Sequence, residues 1–170
     1  GTDYIDSLSY REQYSNASVS FFPEEEQKWI PVPPTPGEVN VYPPPVTGII
    51  INEFSSSNSQ LVQDEHGEYD DWIEIFNYSE VAVNIGGLFV TDSLDYGRKF
   101  RIPTTAPDST TIQPGDYLVL WADNQEEQGV LHLGFSLRRE GEQIGLLQYD
   151  GLEFIDSLSY GVIGFNTSLS

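Results

Sequence analysis

The side chains with the most chemical potential crowd one short stretch, QDEHGEYDD, where Asp64, Glu65, Asp70 and Asp71 surround His66 and Gly67. Oxygen donors on a segment that glycine lets turn sharply are what a hard divalent cation such as calcium takes. These four acids are therefore the metal-binding candidates. Their spacing is not the D-x-D-x-D-G of an EF-hand loop, and an ordinary solvated acidic loop, with His66 simply exposed in it, is the plainer account. If a metal were held, Asp64, Asp70 and Asp71 with His66 could serve a metal-assisted hydrolase. That function requires the groups to converge in a concave pocket with an open metal position. Asp92 with Asp95, and Asp123 with Asn124, are weaker oxygen pairs, explained by turns in which the side chain bonds nearby backbone.

Other reactive chemistry is poorly supported. The chain has no cysteine, which excludes disulfides and thiolate zinc sites, and no G-x-S-x-G elbow. His132 stands between Leu131 and Leu133 in an expected strand, where a solvent-facing or hydrogen-bonded structural role outweighs that of a base. Nothing selects a glycosidase pair among 27 acidic residues, because a chain so acidic contains carboxylate pairs by accident. The formal charge of -20 repels a phosphate backbone, so nucleic acid is not an expected partner. Divalent cations, glycans or a basic protein suit that charge. No apolar run approaches the roughly 20 residues of a membrane helix, and no membrane insertion is expected.

The elements that would position these groups are short strands. Apolar runs separated by Gly, Pro, Asn and Asp recur, the pattern of a sandwich or barrel. Strands are expected at 48–54, 71–77, 87–91, 99–102, 117–122, 131–136, 143–148 and 153–160, with no helix. Along 71–77, Trp72, Glu74 and Phe76 share one face and Ile73 and Ile75 the other. Both faces are largely apolar, so this strand is expected to be central, and Glu74 to be a structural carboxylate satisfied by backbone or Arg. Gln113-Pro114-Gly115-Asp116 has Pro and Gly where a type II turn wants them. Gly141-Glu142 opens another hairpin.

YIDSLSY at Tyr4–Tyr10 returns as FIDSLSY at Phe154–Tyr160, and the ungapped match runs on through Ser20 and Ser170, keeping Asn16 with Asn166 and Ser18 with Ser168. An offset of domain size predicts a tandem array. Residues 1–40 are then the closing segment of a preceding unit, 41–47 a Pro-rich linker, and 48–170 a following unit lacking its final segment. The wider passage PVPPTPGEVNVYPPPVTG holds seven of the eleven prolines and can be neither helix nor central strand. Glu24-Glu25-Glu26 reads as a loop tip.

From Ile50 to Tyr160 the chain resembles a bacterial lamin-tail domain. The pieces carrying the resemblance are IINEFSSSN, YDDWIEIFNYS, VNIGGLFVTD, KFRIP, IQPGDYLVLWAD, GEQIGLL and FIDSLSYG, in this order. Phe22-Pro23, Trp29, Thr35-Pro36-Gly37 and Asn40 resemble the family's closing extension, yet they precede the domain. The resemblance implies an all-β, immunoglobulin-like sandwich with Trp72 and Trp121 in or near its core. It brings no catalytic residues. It implies a noncatalytic binding, adhesion or tethering module of an exported multidomain surface protein, extracellular or at the cell surface, with a protein or glycan ligand. A carbohydrate-binding domain would need a row of exposed aromatic rings. Since the strands at 4–10 and 154–160 cannot share one slot, residues 1–40 are expected to supply the closing elements after Ser170, in the same chain or by exchange between chains.

Overall fold

The computed structural model describes residues 8, 13, 17–22, 28–32 and 34–170. Glu24-Glu25-Glu26 and nearly all of the first YIDSLSY copy lie outside the described residues. The chain divides into two compact units, Gly1–Tyr42 and Pro43–Ser170.

In the first unit, β1 (Ser18–Phe22) pairs antiparallel with β2 (Lys28–Val32). Phe22, Ile30 and Val32 are buried together, with Tyr42 edge-on to Phe22. Strand β2 takes in Pro31 and Val32, the first two residues of the proline-rich passage. A two-stranded ribbon tolerates this, because each strand has one open edge on which a missing N–H costs nothing.

The second unit holds β3 (Ile49–Ser55), β4 (Asp71–Asn77), β5 (Val83–Asn84), β6 (Phe89–Thr91), β7 (Phe100–Arg101), β8 (Thr111–Ile112), β9 (Tyr117–Ala122), β10 (Glu142–Leu147) and β11 (Phe154–Tyr160). Strands β3-β4-β9 form one antiparallel sheet, β11-β10-β6-β7 a second, and β5-β8 a short ribbon. One core joins the two larger sheets: Ile51, Ile73, Ile75 and Leu120 from the first, Val90, Phe100, Ile144 and Leu146 from the second. This is the expected all-β, two-layer arrangement, with β4 central between β3 and β9.

Two expectations need correction. The strand expected over 131–136 reduces to isolated bridges at His132 and Ser136, because the bridge to Trp121 is parallel and that to Asp123 antiparallel, so no continuous ladder forms. A single 3-10 turn, Glu126–Gln128, stands where no helix was expected. Strands β5 and β8, two residues each, have no counterpart in the sequence reading.

Turn chemistry sets the register. Gly115 has φ +77° and the Asp116 N–H donates to the Gln113 carbonyl at 3.0 Å, as a type II turn requires. A bulge at Asn52 shifts the β3–β4 pairing between Ile51 and Glu53, and the side chain of Asp156 on β11 accepts the Ile51 N–H at 2.8 Å. The bulge decides which residues face outward. Beyond it, Glu53 lies opposite Glu74, and Ser55 opposite Trp72.

Candidate functional site

The outer face of the three-stranded sheet is built from cross-strand rungs. Ile50, Phe76 and Tyr117 make one; Glu53, Glu74 and Val119 the next; Ser55, Trp72 and Trp121 the third. Their neighbours Ile73, Ile75 and Leu120 point the other way into the core, as period-two alternation dictates. Phe76 and Tyr117 stack with ring centroids 4.6 Å apart. Trp72 and Trp121, expected in or near the core, are 6% and 7% exposed and sit on this outer face, outside the central cluster. Leu61 and Val62 rise beside Trp72, so that with Val119, Glu53 and Glu74 they line a groove.

Two carboxylates stand directly opposite each other in that groove, and like charges in this relation repel. Glu74 accepts a hydrogen bond from Asn52 Nδ2 at 2.7 Å, and Glu53 one from the Ser168 hydroxyl. The expected backbone or Arg partner for Glu74 is thus Asn52 instead. The Trp72 indole N–H is buried and has no acceptor among the described residues.

The second feature lies at the end of this sheet. The loop before β4 is stapled by Asn58, whose Nδ2 donates to the carbonyls of Val62 and Asp70 at 2.6 and 2.8 Å and whose Oδ1 accepts the Leu61 N–H at 2.9 Å. Within the loop, Gly67 turns at φ +82° and its N–H donates to the Asp64 carbonyl. Asp64 Oδ1 accepts the N–H groups of His66 and Glu68 at 2.9 and 2.7 Å.

Because β4 and β9 pair in register, Asp71 opposite Ala122, this loop meets Asp123 and the segment carrying His132. The imidazole of His132 is fully buried. Its Nδ1 lies 2.5 Å from Asp123 Oδ2 and its Nε2 3.2 Å from Glu65 Oε1. Burial opposes its charge, but the hydrogen bonds it donates to Asp123 and Glu65 outweigh burial and raise its pKa above the usual histidine value. Glu65 is correspondingly held below the usual range, first by a backbone hydrogen bond, with His132 adding to it against the opposing pull of burial. His66 stays exposed, its ring 5.9 Å from that of His132.

Of the four expected metal-ligating residues, Asp64 and Asp70 come together, and Glu68, absent from that set, joins them with one oxygen from each within 4.8 Å of the others. Asp64 also meets Asp123 and His132 on the same scale. Burial raises Asp70, and repulsion from Asp123, Asp64 and Glu68 raises it further. Glu65 forms a group with His66 and His132 instead. Asp71 belongs to none of these groups. Burial lifts it to about 6, while the backbone N–H groups of Asn58 and Leu137 pull it down. Asp123, expected only to bond nearby backbone, accepts the Gln125 N–H at 2.9 Å with one oxygen and holds His132 with the other. Asp92 is paired with Lys99.

No sequence signal links Asp64 to residues some sixty positions later, and Glu68 differs from its acidic neighbours only in following the glycine turn. As chemistry, His132 is not a free base, since both nitrogens of this buried histidine face carboxylates.

No curated protein and no solved structure matches the chain. The family defined as the Lamin Tail Domain matches residues 43–162, which comprise the two main sheets and both features just described. Its immunoglobulin-like character agrees with the two-layer core found here. The chain belongs to the lamin tail domain family.

Proposed function

We propose that this domain is a noncatalytic binding module that holds a basic, apolar segment of a protein partner on the outer face of the β3-β4-β9 sheet. The observation that carries this reading is the groove in which Leu61, Val62, Trp72 and Val119 offer apolar contact around the opposed carboxylates of Glu53 and Glu74. A Lys or Arg placed between those carboxylates relieves their repulsion. The net charge of -20 adds long-range attraction for the same partner. The setting attached to this reading is an exported, multidomain surface protein, in which the proline-rich linker spaces successive units and tethering is the task. It is supported by the resemblance of the sequence to bacterial members of the family and by the internal repeat.

Peptide-display selection against the folded chain tests it. Enrichment of sequences combining Lys or Arg with aliphatic or aromatic residues is expected, with binding lost in Val119→Asp and Leu61→Asp and kept in Tyr96→Ala. Failure to enrich such a motif, or binding indifferent to Val119→Asp, overturns the assignment. A glycan array positive where the peptides are negative replaces it with carbohydrate binding.

A further inference from the structure

The acidic end of the Asn58-stapled loop holds buried carboxylate oxygens without donors. Asp64 is 8% exposed, and Oδ1 uses its lone pairs on two backbone N–H groups while buried Oδ2 meets no donor among the described residues. Asp70 likewise has a buried Oδ2 without a donor. Glu68 brings a third carboxylate within 4.8 Å of both. No lysine or arginine occurs in sequence between Lys28 and Arg98, and the cationic group acting on Asp70 is His132, which is already engaged by Asp123 and Glu65. The buried Oδ2 atoms of Asp64 and Asp70, close together without a donor, are destabilising unless a cation is shared between them. Exposed Glu68, which also accepts a hydrogen bond from Gln128 Nε2 at 2.8 Å, stands beside them.

The dimensions select the cation. Calcium binds oxygen at about 2.3 to 2.6 Å, so oxygens across its shell stand up to about 5 Å apart. Three carboxylates with one oxygen each inside a 4.8 Å span fit around such an ion. Zinc prefers nitrogen or sulfur donors at about 2.0 to 2.3 Å and a tighter tetrahedron. Magnesium holds several waters and binds through one or two carboxylates. We propose that Asp64, Glu68 and Asp70 bind a calcium ion, with Asp123 behind Asp64 completing the negative wall and itself anchored to His132.

Glu65 and Asp71 are not ligands in this assignment. Glu65 turns to His132, and Asp71 accepts backbone N–H groups of Asn58 and Leu137. An ion at this place closes the loop before β4 on itself.

Titration of the chelator-treated full chain with calcium chloride, followed by calorimetry and by thermal melting, tests the site. One-to-one binding is expected, with Kd on the order of 10⁻⁴ M as in extracellular modules, and a rise in melting temperature. Asp70→Asn and Glu68→Gln each weaken binding about tenfold or more, as does Asp64→Asn. Should Asp64→Asn misfold by circular dichroism because its backbone bonds are disturbed, the other two variants decide. His66→Ala and Asp71→Asn leave the affinity within about twofold. The proposal fails if calcium produces neither heat nor a melting shift up to about 10 mM, a tenfold margin above the weakest such modules. It fails equally if Asp70→Asn and Glu68→Gln bind like the parent, or if zinc alone binds and His66→Ala abolishes it.

Discussion

Asn77 closes β4 with a side chain that is fully buried and fully used. Its Nδ2 donates to the carbonyls of Val81 and Ile112 at 2.8 and 2.9 Å, and its Oδ1 accepts the N–H and hydroxyl of Ser79 at 2.9 and 2.7 Å. One amide thereby joins the end of a central strand to the following turn and to β8. In Asn77→Ala the Ile112 carbonyl is left buried without its donor, a loss of about 1 to 3 kcal/mol. The bonds to Ser79 and Val81 lie nearer the surface, where water replaces part of them, at about 0.5 to 1 kcal/mol each. The expected total of about 2.5 to 6 kcal/mol is a large fraction of the 5 to 15 kcal/mol typical of a domain. Asn77→Asp separates polarity from size. It keeps the acceptor side but turns a carboxylate oxygen toward two carbonyls, so at neutral pH it is at least as damaging. Protonation restores one donor, and its stability recovers relative to the parent as pH falls. Urea denaturation of the three proteins at pH 4 and pH 7 measures this. A cost below about 1 kcal/mol for Asn77→Ala, or an Asn77→Asp penalty independent of pH, would refute the account of this residue as a buried hydrogen-bonding hub.

Three further outcomes are open to measurement. Burial above all, then repulsion by Asp70 and Glu142, lifts the Asp71 carboxyl from 3.8 to about 6 in the folded chain, so its protonated form carries the stability, which is present below 3.8 and lost as pH rises through about 6. Asp71→Asn is expected to gain about 1 kcal/mol at pH 7 and nothing at pH 3, the full linkage value of about 3 kcal/mol being reduced by solvent screening of a half-exposed group; equal gains at both pH values would contradict this. His132 titrates above 6.5 in the folded chain, so its ion pairs stabilise fully below 6.5 and are lost as pH rises through the folded value; the stability advantage of the parent over His132→Gln should shrink from pH 6.5 to 9, and a constant advantage would exclude the pairing. Finally, if residues 1–40 supply closing elements for the second unit, light scattering shows a dimer, or their removal lowers the melting temperature; an unchanged monomeric mass with an unchanged melt on removal speaks against that role.

Much of the sandwich is legible because strands and turns are specified by neighbours in sequence. The alternation over 71–77 placed β4 at the centre of its sheet, and Pro114-Gly115 encoded the φ +77° turn that feeds β9. FIDSLSY became β11, whose Asp156 and Tyr160 serve register and packing: Asp156 accepts the Ile51 N–H, and Tyr160 lies 4.6 Å from Phe54. Strands β5 and β8 were invisible because two residues hold no period. The segment 131–136 misled because its apolar residues are buried by packing without a continuous ladder: Leu133 and Phe135 join the core while only Trp121 and Asp123 offer bridges.

The candidate site divides along the same line. The acidic loop, its glycine turn and the oxygen donors it carries are local properties, and sequence alone determined them, together with the all-β class and the alternation of each strand. Tertiary structure decided which acids meet. Pairing of β4 with β9 carries Asp123 and His132 to the loop, the histidine draws Glu65 aside, and the strand pleat separates Asp71 from Asp70. The bulge at Asn52 likewise decided that Glu53 should oppose Glu74 across the groove. Local patterns fix the direction of each side chain relative to its own backbone, whereas the distance between groups far apart in sequence depends on register, which only the assembled sheet sets.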